Sequence, residues 1–307
     1  MNLSSAFASV ISVKDFSLKH TFESAQPLTF HAEYSNLTNT ITYTSGGSIV
    51  NVGATGPPEK VRLLVVGEDQ SYTVREVTRR FRLADNMQSM YKRIATDRLM
   101  ERSIEEYRGM RVTLNDPWET TLCFIISQFN NVKRIRLITK NLMEMFGEPI
   151  TDDYGRVIAR SFPTSASIKR ATERELMACG AGFRAKYIRS ASEYCTDSLN
   201  LQGLARKSYA ELKEELLQID GVGEKVADCI ALFGYGKLEA FPVDVWIQRA
   251  MEKAYFDGRK TSPKKIREFA EMQWGKYAGL AQQYIFHAAR VGGTASEKKR
   301  PARLSKE

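Results

Sequence analysis

Leu216-Leu217-Gln218-Ile219-Asp220-Gly221-Val222-Gly223-Glu224-Lys225-Val226-Ala227-Asp228-Cys229 decides how the rest of the chain is read. The pattern predicts a helix ending near Gln218, a tight turn over Asp220-Gly221-Val222-Gly223, a second helix from about Glu224 to Phe233, and a loop to Pro242-Val243-Asp244. Two glycines flanking one small apolar residue let the backbone turn sharply. They leave N–H groups pointing outward at the positive end of the following helix. Such a turn can hold a phosphate, and physics alone takes the reading as far as an anion-binding hairpin.

The residues around the turn carry more. Ile219 through Cys229, with Lys225 two residues after the second glycine and Pro242-Val243-Asp244-Val245 about twenty residues on, resembles the helix-hairpin-helix and Gly/Pro/Asp signature of the base-excision DNA glycosylase superfamily. Within it the chain most resembles the 8-oxoguanine DNA glycosylase/lyase branch, over nearly its whole length from about Phe16 to Arg290. The resemblance implies an α+β protein: an N-terminal antiparallel β-sheet domain with a helix, followed by an all-α helix-hairpin-helix glycosylase domain. It also implies a monomer whose partner is double-stranded DNA containing oxidised guanine. No cofactor is implied beyond a monovalent cation at the hairpin.

Composition agrees with that frame without demanding it. A chain of 307 residues can bury a substantial core and divides into two or more lobes. Its 45 Lys and Arg against 36 Asp and Glu leave a net charge of +9, which favours a polyanionic partner such as nucleic acid, although many soluble proteins are basic. Cys123, Cys179, Cys195 and Cys229 are widely separated and form no C-x-x-C pair, which argues against a zinc site or a disulfide framework. Nor do they supply the clustered four-cysteine loop with which some relatives hold an iron–sulfur cluster, so neither metal nor cluster is expected.

Residues 6–13 are mildly apolar but lack a preceding positive segment, so no secretory signal is read, and no apolar run approaches the ~20 residues that span a bilayer. The expectation is an intracellular protein, in the cytoplasm or nucleoid of a prokaryote or the nucleus of a eukaryote. Lys298-Lys299-Arg300-Pro301-Ala302-Arg303 reads as a nuclear address or as a basic tail touching DNA.

Along the chain, residues 1–112 form the expected sheet domain. Thr40 to Thr44 and Ser48 to Val52 flank the turn signal Ser45-Gly46-Gly47 and read as a hairpin, and Val61 to Val66 as a further strand. From Asn86 to Tyr107 the pattern turns helical, in a stretch that covers or leaves the sheet. Residues 113–292 form the expected helical domain, with its hairpin at 209–233. Asp116 is a good N-cap there, Pro117 fits the first helical position, and Glu119 stands where a capping-box acid would. Gly180-Ala181-Gly182-Phe183 suggests a turn between helices, and Ser208-x-x-Glu211 a capping box. Residues 293–307 read as a basic flexible tail.

The chemistry rests on two side chains. Lys225 falls at the N-terminal turn of the second hairpin helix, where the helix dipole and burial both disfavour a charged amine. By resemblance its Nζ attacks C1′ of the damaged nucleotide, expels the base and leaves a Schiff base that undergoes β-elimination; the plainer alternative is a lysine that contacts the DNA backbone. Asp244 precedes a helix and reads as an N-cap. A carboxylate held there can also stabilise an oxocarbenium-like sugar.

For the base, the resemblance assigns Gln282 to the Watson–Crick edge and Phe286 to stacking, with Cys229, Phe233, Trp246 and Ala25 around the pocket. Without the resemblance, Phe286 is a core aromatic and Gln282 an exposed polar residue. The Gly221, Val222 and Gly223 turn, Phe129, Asn130, Asn131 and Arg134 would meet DNA. Phe129 stands where the branch in eukaryotes has an Asn that fills the gap left by the flipped base, and it reads either as a wedge or as a buried helix-end aromatic. Trp246 stands in place of a His, Phe233 of a Met, and Ala25 of a Gly whose carbonyl would sense 8-oxoguanine. Two other readings remain open: a glycosylase for alkylated or other damaged purines, and a noncatalytic DNA-binding helix-hairpin-helix module.

Overall fold

The structure, a computed structural model, describes residues 6–295. Strand β1 (Phe7–Val13), helices α1 (Leu18–Glu23) and α2 (Pro27–His31), and strands β2 (Glu33–Ser35), β3 (Thr40–Ser45), β4 (Ser48–Thr55) and β5 (Val61–Gly67) open the chain. They make a five-stranded antiparallel sheet in the order β1-β5-β4-β3-β2. Alternation decides which face is buried: Val61, Leu63 and Val65 point inward with Ile41, Tyr43, Val50 and Val52, while Arg62 and Leu64 point out. The predicted β3–β4 hairpin closes Ser45 against Ser48, leaving Gly46 and Gly47 at φ 56° and 78°, where a two-residue turn demands glycine.

The structure fills in two elements of this half. The apolar stretch at residues 6–13 is an edge strand paired along β5. The helix covering the sheet is α3 (Gln70–Arg80), not the stretch after Asn86. Its Thr73, Val74, Val77 and Thr78 are β-branched and favour strands, but Asp69 caps it by accepting from the Tyr72 amide, and Val77 and Phe81 bury against the sheet. The stretch 86–107 is two helices, α4 (Met87–Ile94) and α5 (Arg98–Glu106), started by Asn86 and Asp97 as caps and packed into the helical core.

That second core gathers α6 (Pro117–Ser127), α7 (Val132–Phe146), α8 (Ser165–Lys169), α9 (Glu173–Ala178), α10 (Ala185–Asp197), α11 (Tyr209–Leu216), α12 (Glu224–Tyr235), α13 (Val245–Tyr255), α14 (Pro263–Trp274) and α15 (Ala278–Ala295). It is not wholly helical: β6 (Pro149–Thr151) and β7 (Val157–Arg160) form a small hairpin. Helix α6 is buried almost throughout and packs on α12. Helix α15 continues through residues expected in the tail; the segment 298–303 lies outside the described residues.

The capping box expected at Glu119 is not made. Asp116 alone caps α6, accepting from the Trp118 and Glu119 amides, while the Glu119 carboxylate crosses to the first lobe. There it meets Arg80 at 3.1 Å and His31 at 2.9 Å, and Arg80 also holds Glu76 at 2.6 Å. Burial alone would raise the Glu119 pKa, but Arg80 and then His31 overcome it and hold it at about 2. Gln26 fastens the lobes a second time, donating to the Arg111 carbonyl and accepting from the Thr113 amide.

Candidate active site and DNA-binding face

The turn between α11 and α12 treats its two glycines differently. Gly221 sits at φ 81°, and a Cβ there would lie 2.8 Å from the Tyr187 side chain, so the fold itself requires glycine. Gly223 has φ −93° and ψ 179°, and a Cβ would meet nothing within 4 Å. The sharp turn therefore needs only the first glycine. Gly223 also offers α12 no side-chain cap, so the first-turn amides face outward at the positive end of the helix. Gln128 donates to the Gly221 carbonyl at 2.9 Å and Ser190 to Asp220 at 2.6 Å, which hold the turn from behind; Val222 is buried beneath it.

Lys225 rises from the first turn of α12, half-buried, with Nζ 5.1 Å from the Phe124 ring centre. One turn on, Cys229 is buried, and its thiol lies within hydrogen-bond reach of the Lys225 amine. Burial pushes that thiol up to about 12 against the pull of the lysine, so the sulfur is a neutral wall and not a second nucleophile. Phe233 stacks on Phe124 at 5.6 Å and continues the same wall. Asp244 lies close enough to Cys229 to bear electrostatically on it. It caps α13, with Oδ1 accepting from the Ile247 amide at 2.8 Å, so the expected cap is present and its other oxygen is left to the site. Trp246, two residues further, is 51% exposed beside it.

Helix α15 closes the far side. Gln282 is buried, which excludes its reading as an exposed polar residue; its amide nitrogen donates to the Pro242 carbonyl at 3.3 Å, and Oε1 is buried with no partner. Phe286, one turn on, is half-buried at the edge of the core. The adjacent Gln283 donates to the Ser24 carbonyl at 2.7 Å, and so draws the Ser24-Ala25-Gln26 segment of the first lobe against this helix. Ala25 stands at φ 56°, in the left-handed region, so the backbone keeps a glycine-like conformation although the residue carries a Cβ.

A second cluster lies at the loop between α6 and α7. Phe129 is 95% exposed at φ 48°, which rules out the buried helix-end reading. Its ring is 6.4 Å from that of Phe183, itself 53% exposed. The Arg184 guanidinium lies 4.4 Å from the Phe183 ring and donates to the Gln128 and Phe129 carbonyls. Burial lowers the Arg184 pKa, and the nearby Arg134 charge lowers it further. Asn131 caps α7 through the Arg134 amide, and Asn130 donates to the Ile126 carbonyl, so both shape the loop.

Phe124, Phe183, Arg184 and Gln283 were not singled out in the sequence; an aromatic beside a Gly-x-Gly turn was the available signal for Phe183. Among the described residues no group of three or more His, Cys, Asp or Glu could hold a metal ion, and no helix is long and apolar enough to cross a membrane. A cleft of about 990 Å³ lies at the seam near Arg80 and Glu119, away from Lys225.

This arrangement has counterparts. Residues 122–276 match the model of the HhH-GPD superfamily of base excision DNA repair proteins, and residues 9–121 that of the 8-oxoguanine DNA glycosylase N-terminal domain. The chain belongs to the HhH-GPD superfamily. It is 31% identical over 217 residues to the probable N-glycosylase/DNA lyase of Methanothermobacter thermautotrophicus, an alignment spanning 64% of this chain and 69% of that one. It is 34% identical over 222 residues to the N-glycosylase/DNA lyase of Saccharomyces cerevisiae, spanning 61% and 58%. Among solved structures it is similar to Clostridium acetobutylicum 8-oxoguanine glycosylase/lyase in complex with double-stranded DNA containing cytosine opposite 8-oxoguanine, with a TM-score of 0.82, 30% identity, and coverage of 93% of this chain and 98% of that one.

Proposed function

We propose that the chain is a bifunctional DNA glycosylase and lyase that removes 8-oxoguanine from duplex DNA and then nicks the strand. The observation that carries this reading is the convergence of the Lys225 amine and the Asp244 carboxylate on Cys229, opposite a helix bearing Gln282 and Phe286.

In this reading the outward amides at Gly223 take a backbone phosphate. Phe129, with Phe183 beside it, fills the gap left by the flipped nucleotide, and Arg134 and Arg184 face the orphaned base. The base enters between Phe286 and Cys229, with the Gln282 carbonyl oxygen free to accept from its edge and the Ala25 carbonyl beside it. Lys225 Nζ, as the free amine, forms a bond to C1′ while the C1′–N9 bond breaks and its electron pair leaves with the base. The proton lost by the new C1′–N bond passes to that base. Asp244 offsets the positive charge that develops on the sugar. Ring opening gives a Schiff base, loss of a C2′ proton expels the 3′ phosphate, and water releases the lysine.

The test is borohydride trapping on a duplex with 8-oxoguanine opposite cytosine, using wild type, Lys225→Gln and Asp244→Asn. A covalent adduct with wild type that is lost in Lys225→Gln is expected. Base release without an adduct would make the enzyme monofunctional. DNA binding with neither base release nor adduct would leave only a binding module, and release of methylated bases instead would move the substrate to alkylated purines.

A further inference from the structure

The stripe on α15 that bears Gln282 and Phe286 has a third member. Arg290 stands four residues beyond Phe286, so the three side chains share one face of the helix. The Arg290 guanidinium lies 5.4 Å from the Phe286 ring centre. Its Nη1 is buried and has no acceptor among the described residues, just as Gln282 Oε1, at the other end of the stripe, is buried and has no donor. Burial works against the charge on Arg290, and Asp244 works for it, which places the guanidinium within electrostatic reach of the catalytic carboxylate. A buried guanidinium N–H with no acceptor costs free energy that an arriving acceptor recovers.

One unpaired acceptor and one unpaired donor thus flank a single aromatic ring. Their complement is a planar heterocycle that offers an N–H toward Gln282 and a carbonyl oxygen toward Arg290. A lactam purine such as an oxidised guanine has both; an alkylated adenine has no carbonyl. We propose that Arg290 is a second base-reading residue, whose Nη1 donates to a carbonyl oxygen of the flipped oxidised purine. The same contact places positive charge beside the base as it takes the electron pair of the breaking C1′–N9 bond, so Arg290 assists departure as well as recognition. This inference rests on the function proposed above and deepens it.

The test separates base from sugar. Single-turnover release of 8-oxoguanine opposite cytosine is measured for wild type, Arg290→Leu and Arg290→Lys, alongside cleavage of a duplex with a preformed abasic site, which has no base to read. Arg290→Leu is expected to slow base release by about ten- to hundredfold, the range of a lost charge-assisted hydrogen bond. It should leave abasic-site cleavage within about twofold of wild type, which also reports that the variant is folded. Arg290→Lys should recover part of the loss, because it keeps the charge without the planar fork.

Equal slowing on both substrates would make Arg290 a support for Asp244 and overturn the proposal, as would unchanged base release. Wild-type enzyme that leaves 8-oxoguanine in place would overturn both this inference and the function beneath it, whereas wild-type release with an unselective variant overturns only this one.

Discussion

The two glycines of the hairpin turn should respond oppositely to the same added methyl group. At Gly221 an alanine would have to hold φ 81°, which costs roughly 1–2 kcal/mol for an L residue. Its Cβ would also press on Tyr187 at 2.8 Å, adding about 1–2 kcal/mol of overpacking. The expected loss is about 2–4 kcal/mol, a fall in Tm on the order of 3–6 °C for a chain of this size. At Gly223 the backbone is already extended and open. There, alanine loses about 0.5–1 kcal/mol as a poorer N-cap and gains about 0.4–1 kcal/mol by restricting the unfolded chain, so the net is near zero.

In the function proposed above, Gly223 marks the surface that a phosphate approaches, and a methyl group there should weaken duplex binding by about tenfold or more, the equivalent of ~1.4 kcal/mol. Thermal unfolding by calorimetry and titration of a fluorescent duplex by anisotropy read the two quantities independently. A Gly223→Ala variant that binds duplex like wild type would refute the phosphate contact, and one that melts as early as Gly221→Ala would refute the division of labour between the glycines.

Two further outcomes are expected. Ala25→Gly should raise stability by about 0.5–1 kcal/mol, the difference between the left-handed cost that alanine now bears and the entropy glycine adds to the unfolded chain; a lower Tm would mean that the methyl group packs usefully. Glu119→Gln should destabilise by about 3–5 kcal/mol, because it leaves the buried Arg80 guanidinium with Glu76 as its remaining carboxylate partner. Since Glu119 is held at about 2 against an ordinary 4.5, its contribution is complete above about pH 4.5 and is lost as pH falls toward 2. The stability gap between wild type and variant in urea titrations should therefore shrink on acidification, and a constant gap would count against the ion network.

Much of the fold and site was legible because short-range signals coincided with long-range ones. The Gly46-Gly47 turn sits between two alternating strands, the Ser208–Glu211 capping box forms as its spacing predicts, and Asp244 caps the helix that follows it. Helix α3 was hidden because its β-branched residues prefer strands, and only the Asp69 cap and the apolar face beneath it decide otherwise. Glu119 followed the local rule for a capping acid but found Arg80 and His31 from the other lobe, which no local pattern encodes. The same limit applies to Phe183, whose placement beside Phe129 depends on α10 returning to the end of α6. The unpaired atoms of Gln282 and Arg290 became visible only once every neighbour had been placed.

The contact between Gln283 and Ser24 bears on how such a protein can be cut and recombined. In the function proposed above, a wall of the base pocket is donated by a segment more than 250 residues away in the chain. The boundary between the two family matches, at residues 121 and 122, falls inside α6, a helix buried along nearly its whole length. The helical half expressed alone from residue 113 would keep the lysine and the aspartate but lack the Ser24-Ala25-Gln26 segment, and its Glu119 carboxylate would lose Arg80 and His31. In the function proposed above, recognition of the lesion is a property of the whole chain, and the link between α1 and α2 in the first lobe is as much part of the reading head as the hairpin is.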